Sequence, residues 1–91
     1  MNKINLIIIQ CILLLMLTLS LSAQEAQITY WENGKKKSEG MTIDTTKEGF
    51  WTYWYKNGNK WSEGKYLHGE KTGKWKYWYK DGSKWSEINI D

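Results

Sequence analysis

The stretch WTYWYKNGNKWSE at residues 51–63 returns as WKYWYKDGSKWSE at residues 75–87. A chain that rewrites so many aromatic and Lys letters at a fixed offset is building copies of one small structural unit rather than one active site. Sliding the sequence by 24 residues superposes Gly34 with Gly58 and Gly82, Lys36 with Lys60 and Lys84, Ser38 with Ser62 and Ser86, and Glu39 with Glu63 and Glu87. The same shift matches Gly40 with Gly64, Gly49 with Gly73 and Trp51 with Trp75. Three units follow, about 28–49, 50–73 and 74–91, the first with Lys37 where the others carry Trp61 and Trp85. Atypical outer units are what a stacked array uses to cap its ends.

Each unit reads as a β-hairpin: a β-favouring run, an Asn-Gly or Asp-Gly pair, and a second run. The expected strands are 27–32, 35–43, 50–56, 59–67, 74–80 and 83–90, with polar connections at 44–49 and 68–73. The fold class is all-β, an antiparallel meander of about six strands in a single-layer twisted sheet, preceded by an N-terminal signal helix. A type I′ turn needs positive φ at both central residues, so Asn57-Gly58 and Asp81-Gly82 are the expected turn pairs, with Asn and Asp interchangeable.

Alternation puts Trp51, Tyr53 and Tyr55 on one face and Thr52, Trp54 and Lys56 on the other, with Trp75, Tyr77 and Tyr79 against Lys76, Trp78 and Lys80 in the next unit. Two registers are open. A two-residue turn pairs Trp54 with Trp61 and Trp78 with Trp85 as a ladder of indoles; a three-residue loop with a bulge at Gly58 places Trp61 opposite Tyr53 instead.

The first residues, MNKINLIIIQCILLLMLTLSLSAQ, form a positive start, an apolar run from Ile4 to Leu21 and small residues, the pattern of a secretory signal with cleavage expected after Ala23. The apolar run approaches the roughly 20 residues of a membrane span, so a retained anchor is the alternative and the only route to a membrane role. Residues 24–91 would then be an exported single domain. Cys11 departs with the signal, leaving no disulfide.

Loss of Lys3 from the 13 Lys leaves 13 − 1 = 12 against 10 acidic residues, with no Arg in the chain. Such a mixed surface without Arg forks argues against nucleic-acid binding.

The run from Gly49 to Gly64, repeated from Gly73 to Glu87, resembles the bacterial variant of the MORN repeat, in which G-x-W-x-x-Y-Y-x-x-G is followed by Glu. The resemblance covers nearly all of residues 28–91. It implies a sheet of stacked hairpins used as a non-catalytic interaction scaffold, and the label of YwqK-type antitoxins travels with the family. Tandem aromatic hairpins also resemble choline- and glucan-binding repeats, whose rings box a quaternary ammonium or stack on a sugar.

Catalytic and metal chemistry are poorly supplied. His68 is the sole imidazole and sits beside Gly69 in an expected turn, whereas a metal site needs several ligands together. The recurring Glu39, Glu63 and Glu87 accompany Lys36, Lys60 and Lys84, which reads as cross-strand charge pairing. No enzyme, metal or cofactor is expected.

Seven Trp, six Tyr and one Phe all lie beyond residue 29, and a single sheet cannot bury both its faces. Ile28, Met41, Ile43, Leu67, Ile88 and Ile90 are the aliphatics available to help. One aromatic face is therefore expected to stay partly exposed and to be covered by a protein partner, another copy or a ligand. The expected contact residues are Trp54, Trp61, Trp78, Trp85, Tyr55 and Tyr79. The leading function is a protein-interaction scaffold; the alternatives are a cell-surface module binding glycan or choline and an antitoxin-like binding protein.

Overall fold

The computed structural model describes residues 24–90, and the expected signal segment 1–23 lies outside the described residues. Six strands, β1 (Gln24–Tyr30), β2 (Lys36–Ile43), β3 (Thr46–Trp54), β4 (Lys60–Leu67), β5 (Glu70–Trp78) and β6 (Lys84–Ile90), make one open antiparallel sheet in chain order. The all-β meander is as expected, and the substantial packing runs only between strands adjacent in the chain.

The strand ends differ from expectation: β1, β3 and β5 stop at Tyr30, Trp54 and Trp78 rather than at 32, 56 and 80, and they begin before the expected 27, 50 and 74. The segments 44–49 and 68–73 are not loops: two-residue turns, Asp44-Thr45 and His68-Gly69, suffice, and β3 and β5 begin at Thr46 and Glu70. All four turn residues have positive φ, between 49° and 83°. That is the mirror-image geometry whose twist suits a two-residue hairpin, found here where the composition did not advertise it.

The Asn-Gly and Asp-Gly loops are the converse case. Only the Gly is left-handed, Gly58 at 95° and Gly82 at 92°, and each loop holds three residues. Tyr55 N donates to Asn59 O at 2.8 Å while Gly58 N donates to Tyr55 O at 3.0 Å, and Tyr79 with Ser83 and Gly82 does the same. This is the three-residue loop with a bulge, not the two-residue turn.

A second irregularity follows each loop. Tyr53 pairs with Ser62 but Trp54 pairs with Lys60, so Trp61 is an extra residue with no partner across the strand. Trp85 is extra in the same way in β6, and Lys37 in β2. A bulge turns its residue onto the face of the next one, so Trp61 and Trp85 join the face of Ser62 and Ser86. The three-residue loop of the two open registers is present, but Trp61 stands opposite neither Trp54 nor Tyr53, and Trp85 opposite neither Trp78 nor Tyr77.

The bulge also explains the charge pattern. Residues three apart in a regular strand point to opposite faces, yet Lys36–Glu39 (3.1 Å), Lys60–Glu63 (3.0 Å) and Lys84–Glu87 are ion pairs within single strands. One extra residue restores both partners to the same side. These three pairs run along the strand instead of across it as expected, although Glu87 also has a cross-strand partner in Lys74 at 3.7 Å. The hydrogen bond from Lys84 holds the Glu87 carboxyl below its ordinary range.

Where β3 meets β2 and β5 meets β4, the partner strands part by a wider step. Glu63 pairs with Lys76 and Lys65 with Thr72, leaving Gly64 alone opposite Gly73-Lys74-Trp75. Gly40 faces Gly49-Phe50-Trp51 likewise. Gly49 and Gly73 take φ of 73° and 69° to make the detour, and the indoles that follow lie flat on the opposing glycines. A Cβ on Gly64 would stand 2.3 Å from Trp75 Cδ2, and one on Gly40 2.2 Å from Trp51 Cδ2. Trp75 Nε1 donates to Lys65 O at 3.1 Å and Trp51 Nε1 to Met41 O at 2.9 Å. Trp51 and Trp75 are the buried hydrophobic side chains, 3% and 0% exposed.

Candidate functional site

Register fixes two unlike faces. Trp51, Tyr53, Ser62, Gly64, Tyr66 and Trp75 share one, hereafter the ring face; Thr52, Trp54, Glu63, Lys65 and Lys76 share the other, the charged face. On the ring face the aromatic side chains touch in one unbroken row. It starts at Tyr55 against Trp61 (6.4 Å between ring centroids), steps to Tyr53 (5.8 Å) and Trp51 (6.2 Å), and crosses to Tyr66 (6.1 Å). It continues through Trp75 (5.1 Å), Tyr77 (6.5 Å) and Trp85 (6.2 Å) to Tyr79 (5.7 Å). Several contacts are edge-to-face, the arrangement that sets a positive ring edge on a negative ring face.

The row is buried at its centre and open at the loops. Trp61, Tyr79 and Trp85 are 43%, 51% and 59% exposed. Of the six residues expected to form the contact surface, Tyr55, Trp61, Tyr79 and Trp85 are thus brought together. Trp54 and Trp78 are not: they lie half-buried on the charged face, with the Lys36 ammonium 5.8 Å from the Trp54 ring and that of Lys60 5.6 Å from Trp78. The first hairpin makes a different pair, the Lys37 ammonium 4.7 Å from the Trp31 ring.

Two lysines are woven into the row. Lys47 Nζ donates to Tyr53 Oη at 2.9 Å and stands 5.0, 5.3 and 5.2 Å from the rings of Trp51, Tyr53 and Tyr66. Lys71 repeats this with Tyr77 Oη (3.3 Å) and the rings of Trp75 and Tyr77 at 4.6 and 5.7 Å. Tyr53 and Tyr66 share a hydrogen bond between hydroxyls at 2.9 Å. Burial, followed by that bond, pushes the Tyr66 phenol up to about 12.

The loops fasten to one another by side chains. Asn33 Nδ2 donates to Lys56 O at 2.9 Å and Asn57 Nδ2 to Lys80 O at 2.8 Å, so each amide reaches the next loop. Asn33, Asn57 and Asp81 also accept at Oδ1 from the backbone N–H two residues on, at 2.9–3.0 Å. The Ser83 hydroxyl, and after it the Ser83 backbone N–H, hold the Asp81 carboxyl below its ordinary range. Asn57 and Asp81 are thus equivalent as acceptors and unlike as donors, which corrects their expected interchangeability. Trp31 Nε1 and Tyr55 Oη add bonds to Trp54 O (3.1 Å) and Trp78 O (2.8 Å). A shallow cleft of about 470 Å³ lies among Trp31, Tyr55, Lys56, Asn57 and Lys80.

His68 is exposed at its turn, its Nδ1 2.9 Å from Glu48 Oε1, which also accepts from His68 N at 2.6 Å. Among the described residues no group of three or more His, Cys, Asp or Glu could hold a metal ion. The aliphatics expected to help fill a core do not: Ile28, Met41, Ile43, Leu67 and Ile88 are exposed, as is Phe50. Residue types alone did not signal Lys47 and Lys71 as members of the row; their place opposite Thr42 and Tyr66 in the register does.

Comparison of the chain with protein-family models, curated proteins and solved structures found no match. What the site offers is chemical: flat apolar rings for stacking, phenol and amide groups for hydrogen bonding at the rim, and lysines already engaged with rings.

Proposed function

We propose that the chain is an exported, non-catalytic module of three tandem 24-residue hairpin repeats, similar to the MORN-repeat variant, that binds a protein partner through its ring face. Residues 1–23 act as the signal for export in this reading. The observation that carries it is the unbroken row of rings on a one-layer sheet, with Trp61, Tyr79 and Trp85 left open to solvent. Exposed clusters of Trp and Tyr are the residues from which interface anchors are made, because each removes a large apolar area from water while ordering few torsions. On the charged face, ion pairs and lysine stems cover Trp54 and Trp78 instead.

One observation favours a second reading. Tyr79 and Trp85 are both exposed, 5.7 Å apart and inclined by only 32°, which is a platform for the flat side of a sugar ring. A quaternary ammonium fits less well, since Lys47 and Lys71 already fill the hollows between rings.

Titration with glucan or peptidoglycan fragments and with choline, followed by Trp fluorescence, separates the readings. A partner-binding face predicts no saturable change with either, and loss of partner capture when Trp61 and Trp85 are both replaced by Ser. Saturable binding of a glycan, abolished by Trp85→Ser, would replace this reading with the sugar platform.

A further inference from the structure

The two junctions between consecutive hairpins share two contacts. At β2–β3 and β4–β5 a glycine on the earlier strand receives an indole from the later one, Gly40 under Trp51 and Gly64 under Trp75. An Asn amide on the earlier loop then reaches a backbone carbonyl of the later loop, Asn33 to Lys56 and Asn57 to Lys80. The outer strands carry neither. Counting on by 24, the glycine position in β6 is Ile88 and the amide position is Asp81; counting back, the indole position in β1 is Gln27. Register agrees, because Ile88 pairs with Trp75 as Gly64 pairs with Trp51.

From these three positions we infer that the β6 edge is closed to in-register addition of another hairpin of this pattern, a second copy of the chain included. The inference rests on the reading of the hairpins as equivalent repeats. An edge strand offers a row of free N–H and C=O groups and would otherwise template continued growth. A branched side chain at Ile88 occupies the floor on which an indole must lie, since at Gly64 a single Cβ already meets that ring at 2.3 Å. At the loop, Asp81 has no hydrogen to donate, and its carboxylate would face a carbonyl oxygen in place of the amide–carbonyl bond. The residue whose carbonyl would meet it in a second copy is Glu32, since Lys56 and Lys80 hold that place within the chain. Like charges there oppose docking further. The β1 edge of the incoming copy brings Gln27, which lacks the large flat surface that buries Trp51 and Trp75. The ring face, whose partner is argued above, is left free of this restriction, so binding and growth are separated on different surfaces of one sheet.

The test uses the whole chain in a Cys11→Ser background with Ser86→Cys and Thr29→Cys, positions that would pair across a copy-to-copy junction as Ser38 pairs with Tyr53. Under mild oxidation the otherwise unaltered chain should give no ladder of linked oligomers. Restoring the internal pattern with Ile88→Gly, Asp81→Asn and Gln27→Trp should raise the ladder at least tenfold and make the sedimentation coefficient climb with concentration. Asp81→Asn alone, an exposed loop change that leaves the sheet intact, should give a smaller rise. A ladder of equal yield without the restoring changes, or a restored and folded chain that stays as monomeric as the original, would overturn the inference. Should Gly64→Ala fail to weaken the monomer, the repeat reading itself would be at fault, which keeps the two failures apart.

Discussion

Replacing Gly64 by Ala tests the contact on which the sheet most depends. The added methyl would lie 2.3 Å from Trp75 Cδ2 and 2.5 Å from Cε2, far inside contact distance, so the indole must leave its seat. Trp75 is wholly buried, and its Nε1 is bonded to Lys65 O. Full expulsion would return roughly 150–250 Å² to water, or about 4–6 kcal/mol at about 25 cal/mol/Å². Loss of the hydrogen bond adds about 1 kcal/mol. Partial sliding of the ring recovers part of this, and Ala restricts the unfolded chain by about 0.4–1 kcal/mol in the opposite sense. The expected net loss is about 3–5 kcal/mol, comparable with the whole stability of a small domain. Urea unfolding followed by circular dichroism measures it. A double-mutant cycle isolates the cause: with Trp75→Ala already present, Gly64→Ala should cost almost nothing, because no ring remains to be displaced. A loss below about 1 kcal/mol in the native background, or an equal loss in both backgrounds, would refute the account of glycine as the floor for the indole.

The other predictions concern the turns and the phenol row. Asn57→Asp should cost about 1 kcal/mol in urea unfolding by removing one of the two amide donors to Lys80 O, the other being Asn59 Nδ2, while Asp81→Asn should leave stability nearly unchanged because no described loop lies beyond it to receive the amide. Thr45→Gly should stabilise by about 0.5–1 kcal/mol, since a β-branched residue holds φ of 67° where the corresponding position in the other turn is Gly69; a drop in the unfolding midpoint would contradict this. The Tyr66 phenol, raised to about 12, is favoured in its neutral form by the fold, so its contribution is complete below the ordinary phenol range near 10 and lost as pH climbs through about 12. Alkaline unfolding curves for Tyr66→Phe should accordingly show a shallower decline across that window than those of the parent.

Strand number and strand order were legible because turn residues and alternation are local properties of the sequence. The register was not, because Asn-Gly serves both a two-residue turn and a three-residue loop, and only cross-strand pairing decides. That one choice moved Trp61 and Trp85 to the ring face and split the expected group of indoles. The two-residue turns escaped notice because Asp44-Thr45 and His68-Gly69 sit in polar runs that resemble longer connections. The G-x-W spacing was visible as a pattern, but its cause involves a third residue, Gly40 or Gly64, on a different strand. No local reading joins residues that meet only when strands pair.

The neighbour-only order of the strands shapes how such a sheet comes apart. Among the described residues no second layer clamps the ends, so β1 and β6 are each held there along a single side, while β3 and β4 are held along both. Opening therefore proceeds sideways, like a fan losing its outermost ribs, and amide protons of the outer strands should exchange earliest with those beside Trp51 persisting longest. Because every closure joins segments close along the chain, reassembly is rapid, and a partially fanned molecule keeps its central ribs in working order.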